Sequence, residues 1–123
     1  MTKLLPTLAA VALMAGCSTL YSSPARIADG ALSGPNGMAL YTFDRDATGS
    51  GKSVCNGPCA TLWPPLMASD TDKTSGDYAV IVRDDGKKQW AYKGKPLYYF
   101  AKDTKAGDRT GDGVNQVWKT ARP

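Results

Sequence analysis

The chain has 123 residues, 15 Lys and Arg against 11 acidic residues, no His and three Cys. Every acidic residue is Asp, so a glycosidase-type carboxylate pair would have to be built from Asp. Without His there is no Ser-His-Asp triad, no Cys-His nucleophile pair and no His-based zinc or copper centre. Once a targeting segment is subtracted, about 95 residues remain, enough for one small domain and too few for a two-domain enzyme.

Residues 1–16 read as an export signal: Lys3 supplies the positive end, Leu4 to Met14 a short apolar stretch, and Leu13-Met14-Ala15-Gly16-Cys17 follows at once. The stretch is shorter than the roughly 20 apolar residues that span a bilayer, and its small-residue end suits a peptidase. Leu-Met-Ala-Gly-Cys resembles a bacterial lipobox, and the resemblance implies that Cys17 is lipidated, palmitate included, before it becomes the new amino terminus. Ser18, where an Asp would favour inner-membrane retention, points to the outer membrane facing the periplasm. Residues 17–25 then form the lipidated Cys and a flexible polar tether. Removal of Lys3 leaves 14 basic and 11 acidic groups, 14 − 11 = +3. These charges are interspersed, as in Arg83-Asp84-Asp85-Gly86-Lys87-Lys88, and read as solvated surface; nucleic acid is not an expected partner.

A globular repeat domain is expected over 26–123, because Gly37-Met-Ala-Leu-Tyr41-Thr-Phe43-Asp-Arg-Asp46 recurs as Gly94-Lys-Pro-Leu-Tyr98-Tyr-Phe100-Ala-Lys-Asp103. Five positions match at a constant offset of 57, dividing the domain into repeat 1 (about 26–66) and repeat 2 (about 78–123). Within each copy the periodicity is two: Tyr41 and Phe43 fall on one face and Leu40 and Thr42 on the other, which is strand patterning. The spacing predicts β-hairpins closed by two-residue turns at Asn36-Gly37 and Lys93-Gly94, with the motif on each second strand. A further hairpin over Tyr78–Tyr92, closed at Asp85-Gly86, would put Ile81 opposite Trp90 and Ala79 opposite Tyr92. Trp90 would then face Leu97, so Ile81, Trp90 and Leu97 would lie across one core face. Pro64-Pro65 limits helix to one short turn near 58–63. The fold class is therefore mainly β, a small single domain of two tandem hairpin repeats.

The Tyr-x-aromatic-x-x-Asp pattern of Tyr41/Phe43/Asp46 and Tyr98/Phe100/Asp103 resembles the bacterial predicted lipoproteins with a Yx(FWY)xxD motif, also described as a secreted repeat of unknown function. The similarity extends through Cys55-Asn-Gly-Pro-Cys59, Trp63-Pro64-Pro65, Gln89–Leu97 and Gly111–Trp118. It implies an envelope location and a tandem fold, with no established biochemical activity.

Several residues offer chemistry. With Cys17 lipidated, Cys55 and Cys59 remain as an even pair in an oxidising compartment, which most simply forms a structural disulfide; redox or metal handling by the same thiols is the rival. Asp103, Asp108, Asp112 and Asn115 place oxygen donors near a Gly-containing turn, a low-ranking calcium candidate without EF-hand spacing, and equally ordinary turn residues. Asp46 and Asp103 are expected to cap the turns after their strands, or to converge as an acid/base pair. No cofactor is expected. The leading reading is a non-catalytic, lipid-anchored envelope domain that binds or scaffolds an envelope protein or cell-wall polymer; the alternative is a thiol-redox or metal-handling protein using Cys55 and Cys59.

Overall fold

A computed structural model describes residues 23–123. The export signal, Cys17 and most of the tether lie outside the described residues. The elements in order are β1 (Arg26–Ala28), β2 (Ala31–Ser33), β3 (Tyr41–Phe43), α1 (Pro58–Leu62), β4 (Met67–Ala68), β5 (Tyr78–Val82), β6 (Lys88–Tyr92), β7 (Lys95–Pro96), a 3-10 turn (Val114–Gln116) and β8 (Trp118–Thr120). The domain is thus mainly β. Its only α-helical segment among the described residues has five residues, opens at Pro58 and stops before Pro64-Pro65, because proline can begin a helix but cannot supply the amide that continues it.

Two of the three predicted turns are longer than the sequence suggests. Pro35-Asn36-Gly37 and Asp84-Asp85-Gly86 are both three-residue loops: the Gly34 amide donates to the Met38 carbonyl and the Arg83 amide to the Lys87 carbonyl. In each, the middle Asx side chain accepts an amide two residues on (Met38 to Asn36, Lys87 to Asp85), and the third residue is a left-handed glycine, Gly37 at φ 82° and Gly86 at φ 85°. That is a type I turn followed by a glycine bulge. Lys93-Gly94 is a true two-residue turn, with φ 48° and 83°.

The extra loop residue moves the β5–β6 register by one. Val80 lies opposite Trp90, Ile81 opposite Gln89 and Ala79 opposite Ala91, so the expected pairings of Ile81 with Trp90 and Ala79 with Tyr92 do not occur. The β6–β7 register is as expected: Ala91 pairs with Pro96, and the Leu97 amide donates to the Trp90 carbonyl at 3.0 Å. One face of the meander therefore presents Val80, Trp90 and Leu97, with Ile81 on the other.

Each motif segment begins in the hairpin of its own repeat, Ala39 bridging Ser33 and Leu97 donating to Trp90, but from Tyr41 and Tyr98 onward the motif strands pair across the repeats. β3 runs antiparallel to β8, Tyr41 opposite Thr120 and Phe43 opposite Trp118, and its other edge bridges Tyr98 through two backbone hydrogen bonds of 2.7 and 2.9 Å. The second copy has the matching partner in 62–65: Tyr99 donates to the Pro64 carbonyl and Ala101 to the Leu62 carbonyl. It remains an isolated bridge, Pro65 to Tyr98, because Pro64, which stands where the other ladder has Lys119, has no amide to donate.

Alternation along the motif strands divides the interior in two. Leu40 and Leu97 join Ala25, Leu32, Leu66, Trp90 and Ala121 in an aliphatic cluster. Tyr41, Tyr98 and Phe100 join Ala39, Cys55, Trp63 and Trp118 in an aromatic one. Phe43, Trp118, Trp63 and Phe100 form a continuous stack with centroid spacings of 4.1, 3.8 and 4.1 Å. The rings come alternately from repeat 1 and repeat 2, so neither repeat can build this core by itself.

Candidate functional site

Bridging Tyr41 to Tyr98 sets each phenol beside the other repeat's loop. The Tyr41 hydroxyl donates to Asp103 Oδ2 at 2.6 Å, and the Tyr98 hydroxyl donates to Asp46 Oδ2. These are reciprocal clasps: each repeat's tyrosine holds the opposite repeat's aspartate. The remaining oxygen of each carboxylate orders its own loop. Asp46 Oδ1 accepts the Val54 amide at 2.7 Å, and Asp103 Oδ1 accepts the Thr110 amide at 3.0 Å and the Thr110 hydroxyl. Both tyrosines and both aspartates are buried. The aspartates thus close long loops and bind across the repeats, a wider role than capping the adjacent turn. No hydrogen bond joins the two carboxylates among the described residues.

The two clasps have different surroundings. Around Tyr98–Asp46, Ser53 Oγ lies 2.5 Å from the Tyr98 hydroxyl and accepts from Arg83 Nη1 at 3.0 Å. Arg83 also donates to Gln89 Oε1 at 2.7 Å and to the Cys55 carbonyl, and Gln89 donates to the Leu97 carbonyl at 2.8 Å. Arg83 is only 4% exposed, which corrects its reading as a solvated surface charge. Around Tyr41–Asp103 no cation among the described residues donates to either group; the Gly111 amide donates to the Tyr41 hydroxyl at 3.2 Å.

Burial raises the Asp46 pKa above the ordinary carboxylate value, against the opposing pull of Tyr98, the Val54 amide and Arg83. Burial, reinforced by the adjacent aspartate, pushes both phenols far above the usual tyrosine range. Protons therefore stay on the tyrosines, which act as hydrogen-bond donors.

Cys55 and Cys59 form a disulfide, with Cα atoms 5.2 Å apart. Cys55 is fully buried within the aromatic cluster, and its carbonyl is the acceptor for Arg83, so the bridge shapes the same loop that supports the Tyr98–Asp46 clasp. The calcium candidates do not converge. Asp103 serves Tyr41 and Thr110, Asp108 Oδ2 accepts the Thr104 amide at 2.9 Å, and Asp112 Oδ1 accepts the Thr120 amide at 2.8 Å. Asn115 sits at φ 52° inside the 3-10 turn. Among the described residues no group of three or more His, Cys, Asp or Glu is gathered as a metal site would need.

A family described as a secreted repeat of unknown function matches the chain twice, over residues 27–67 and 79–122. The chain belongs to that family. Each match to the secreted repeat contains one Tyr-x-Phe-x-x-Asp motif, and together they include all four residues of the clasps. No curated protein and no solved structure matches the chain. Among the described residues of this secreted repeat, no helix is long and apolar enough to cross a membrane.

Ser53, Arg83 and Gln89 were not evident as partners of the motif from sequence. The one available signal was an Arg closing an otherwise apolar run, Ala79-Val-Ile-Val-Arg83, followed by Gln89 at the inward position of the next strand.

Proposed function

We propose that the chain is a lipid-anchored cell-envelope protein, held at the outer membrane through Cys17, whose tandem-repeat domain is a non-catalytic scaffold or binding body. One observation carries this reading: the repeated motif's hydroxyls and carboxylates are engaged with one another across the repeats, so the residues that recur in the two copies hold the fold together. A lipid at Cys17 would fix the compartment of such a body, within reach of envelope proteins or cell-wall polymer.

Metabolic labelling with palmitate tests the anchor. The natural chain is expected to take up label and to fractionate with the outer membrane, while Cys17→Ser does neither; label retained by the Ser variant overturns lipidation at Cys17. Replacement of both Cys55 and Cys59 with Ala tests the non-catalytic reading. Unchanged crosslinked partners in the intact envelope, with a modest stability loss, is the expected outcome; loss of those partners at retained fold would move the assignment to thiol chemistry.

A further inference from the structure

A groove of about 660 Å³ lies away from the clasps, between the Lys93-Gly94 turn, the β3–β8 ladder and the C-terminal residues. Four of its lining residues are cationic, Lys93, Lys95, Lys119 and Arg122, against one acid, Asp112. The acid is engaged by the Thr120 amide, which with Arg122 and Arg109 nearby keeps its carboxyl below the usual range. Of the cations, Lys119 is 2.8 Å from the exposed Asp44 carboxylate, Lys93 lies 5.3 Å over the Tyr92 ring, and Lys95 has no ion pair among the described residues. The interspersed charges of the sequence thus gather into one concave, positive surface, which the linear order of the residues conceals.

Thr120, which also lines the groove, is 5% exposed. Its amide donates to Asp112 Oδ1 at 2.8 Å, and its hydroxyl lies beside the same carboxylate and helps to lower that carboxyl's pKa. The one acid lining the groove is thus held by β8 itself and leaves the four cations in excess.

We infer that this groove is a binding site for a phosphate group. Lysine ammoniums are compact point charges suited to phosphate. The inference also rests on the proposed anchoring: residues 18–25, even fully extended, span only about 28 Å, so a domain hung from lipidated Cys17 stays next to a surface of phosphate-bearing headgroups. The shared chemistry is the phosphate, supplied by a headgroup or by a soluble phosphate compound.

The test uses the full chain carrying Cys17→Ser, so its outcome does not depend on lipidation, which the palmitate experiment addresses separately. Inorganic phosphate is titrated while amide resonances are followed, and vesicles of phosphatidylglycerol in phosphatidylcholine are compared with phosphatidylcholine alone. Phosphate is expected to shift the Lys95, Lys119 and Thr120 signals saturably, and affinity to fall about fivefold for each lysine removed in K93Q/K95Q, with melting unchanged. The same losses seen only with the anionic vesicles identify the headgroup as the source. Affinity for both probes unmoved by K93Q/K95Q overturns the proposal.

Discussion

Tyr98 and Asp46 show what a single clasp contributes. The phenol donates to a carboxylate that is 5% exposed, and a hydrogen bond to a charged group is worth about 1.5–3 kcal/mol when its loss leaves the partner buried. Tyr98→Phe is therefore expected to lower unfolding free energy in urea by about that amount, with Asp46→Asn similarly costly. The double variant should lose less than the sum, because once one partner is gone the other no longer has the interaction to lose. Tyr41→Phe with Asp103→Asn should behave in the same way. Strict additivity in either cycle would mean that the phenol and carboxylate are energetically independent. Deprotonation tests the same contacts. Both phenols have folded pKa values raised from 10.0, so their contribution is fully present below pH 10 and is lost as pH rises beyond it. Stability should decline above that point by at most about 1.4 kcal/mol per pH unit for each phenol. The tyrosinate absorbance of these two residues should appear only with unfolding. Asp46 has the opposite relation to neutrality: its raised folded pKa means that its contribution is greatest below 3.8 and diminishes as pH rises through the folded value, so acid unfolding will not be driven by Asp46.

At the scale of elements, the repeats diverge in the loop before each tryptophan. Repeat 1 has the disulfide and α1; repeat 2 has Gly111 and the 3-10 turn, in a shorter loop. A closed ring of five residues stabilises by about 2 kcal/mol in the loop-entropy model, so reduction of Cys55–Cys59 should lower the denaturant midpoint modestly and leave a cooperative transition. In repeat 2, close packing takes the place of the covalent link: a Cβ on Gly111 would lie 2.8 Å from the Trp63 ring and 3.0 Å from Phe100. Gly111→Ala should then cost about 1–3 kcal/mol through overpacking and perturb the near-ultraviolet signal of the stacked tryptophans; an unchanged spectrum and midpoint would show that the stack can yield. The alternation of Tyr41 and Phe43, the offset-57 duplication and the Pro64-Pro65 stop were legible in the sequence because each is a local pattern. The Asp84-Asp85-Gly86 loop was not, since Asp-Gly suits two- and three-residue loops alike and the choice displaces every pairing from Tyr78 to Tyr92. Nor was the exchange of strand partners between repeats, because periodicity tells which face a residue takes and says nothing of which strand lies beside it.

The whole molecule follows from that exchange. Ring stack, clasps and turn contacts all cross the repeat boundary: Gly37 faces Ala106 of the second copy, while Gly94 faces Gly49 of the first, positions related by the same offset of 57. Each family match spans little more than 40 residues, near the limit below which a chain rarely supports a core of its own, and half of each core here belongs to the other copy. The connection between copies, by contrast, is peripheral: Thr71, Asp72, Lys73 and Thr74 are exposed. Cleavage after Lys73 should therefore leave the two halves associated, with the intact chain's far- and near-ultraviolet spectra retained at high concentration and lost on dilution. Expressed separately, each half should be unfolded, and mixing them should restore the tyrosine–aspartate clasps, read as the return of both phenols to high pKa. A half that folds alone with its motif tyrosine already protected would show that each repeat is a self-sufficient unit, and that the clasps join two finished domains instead of completing one.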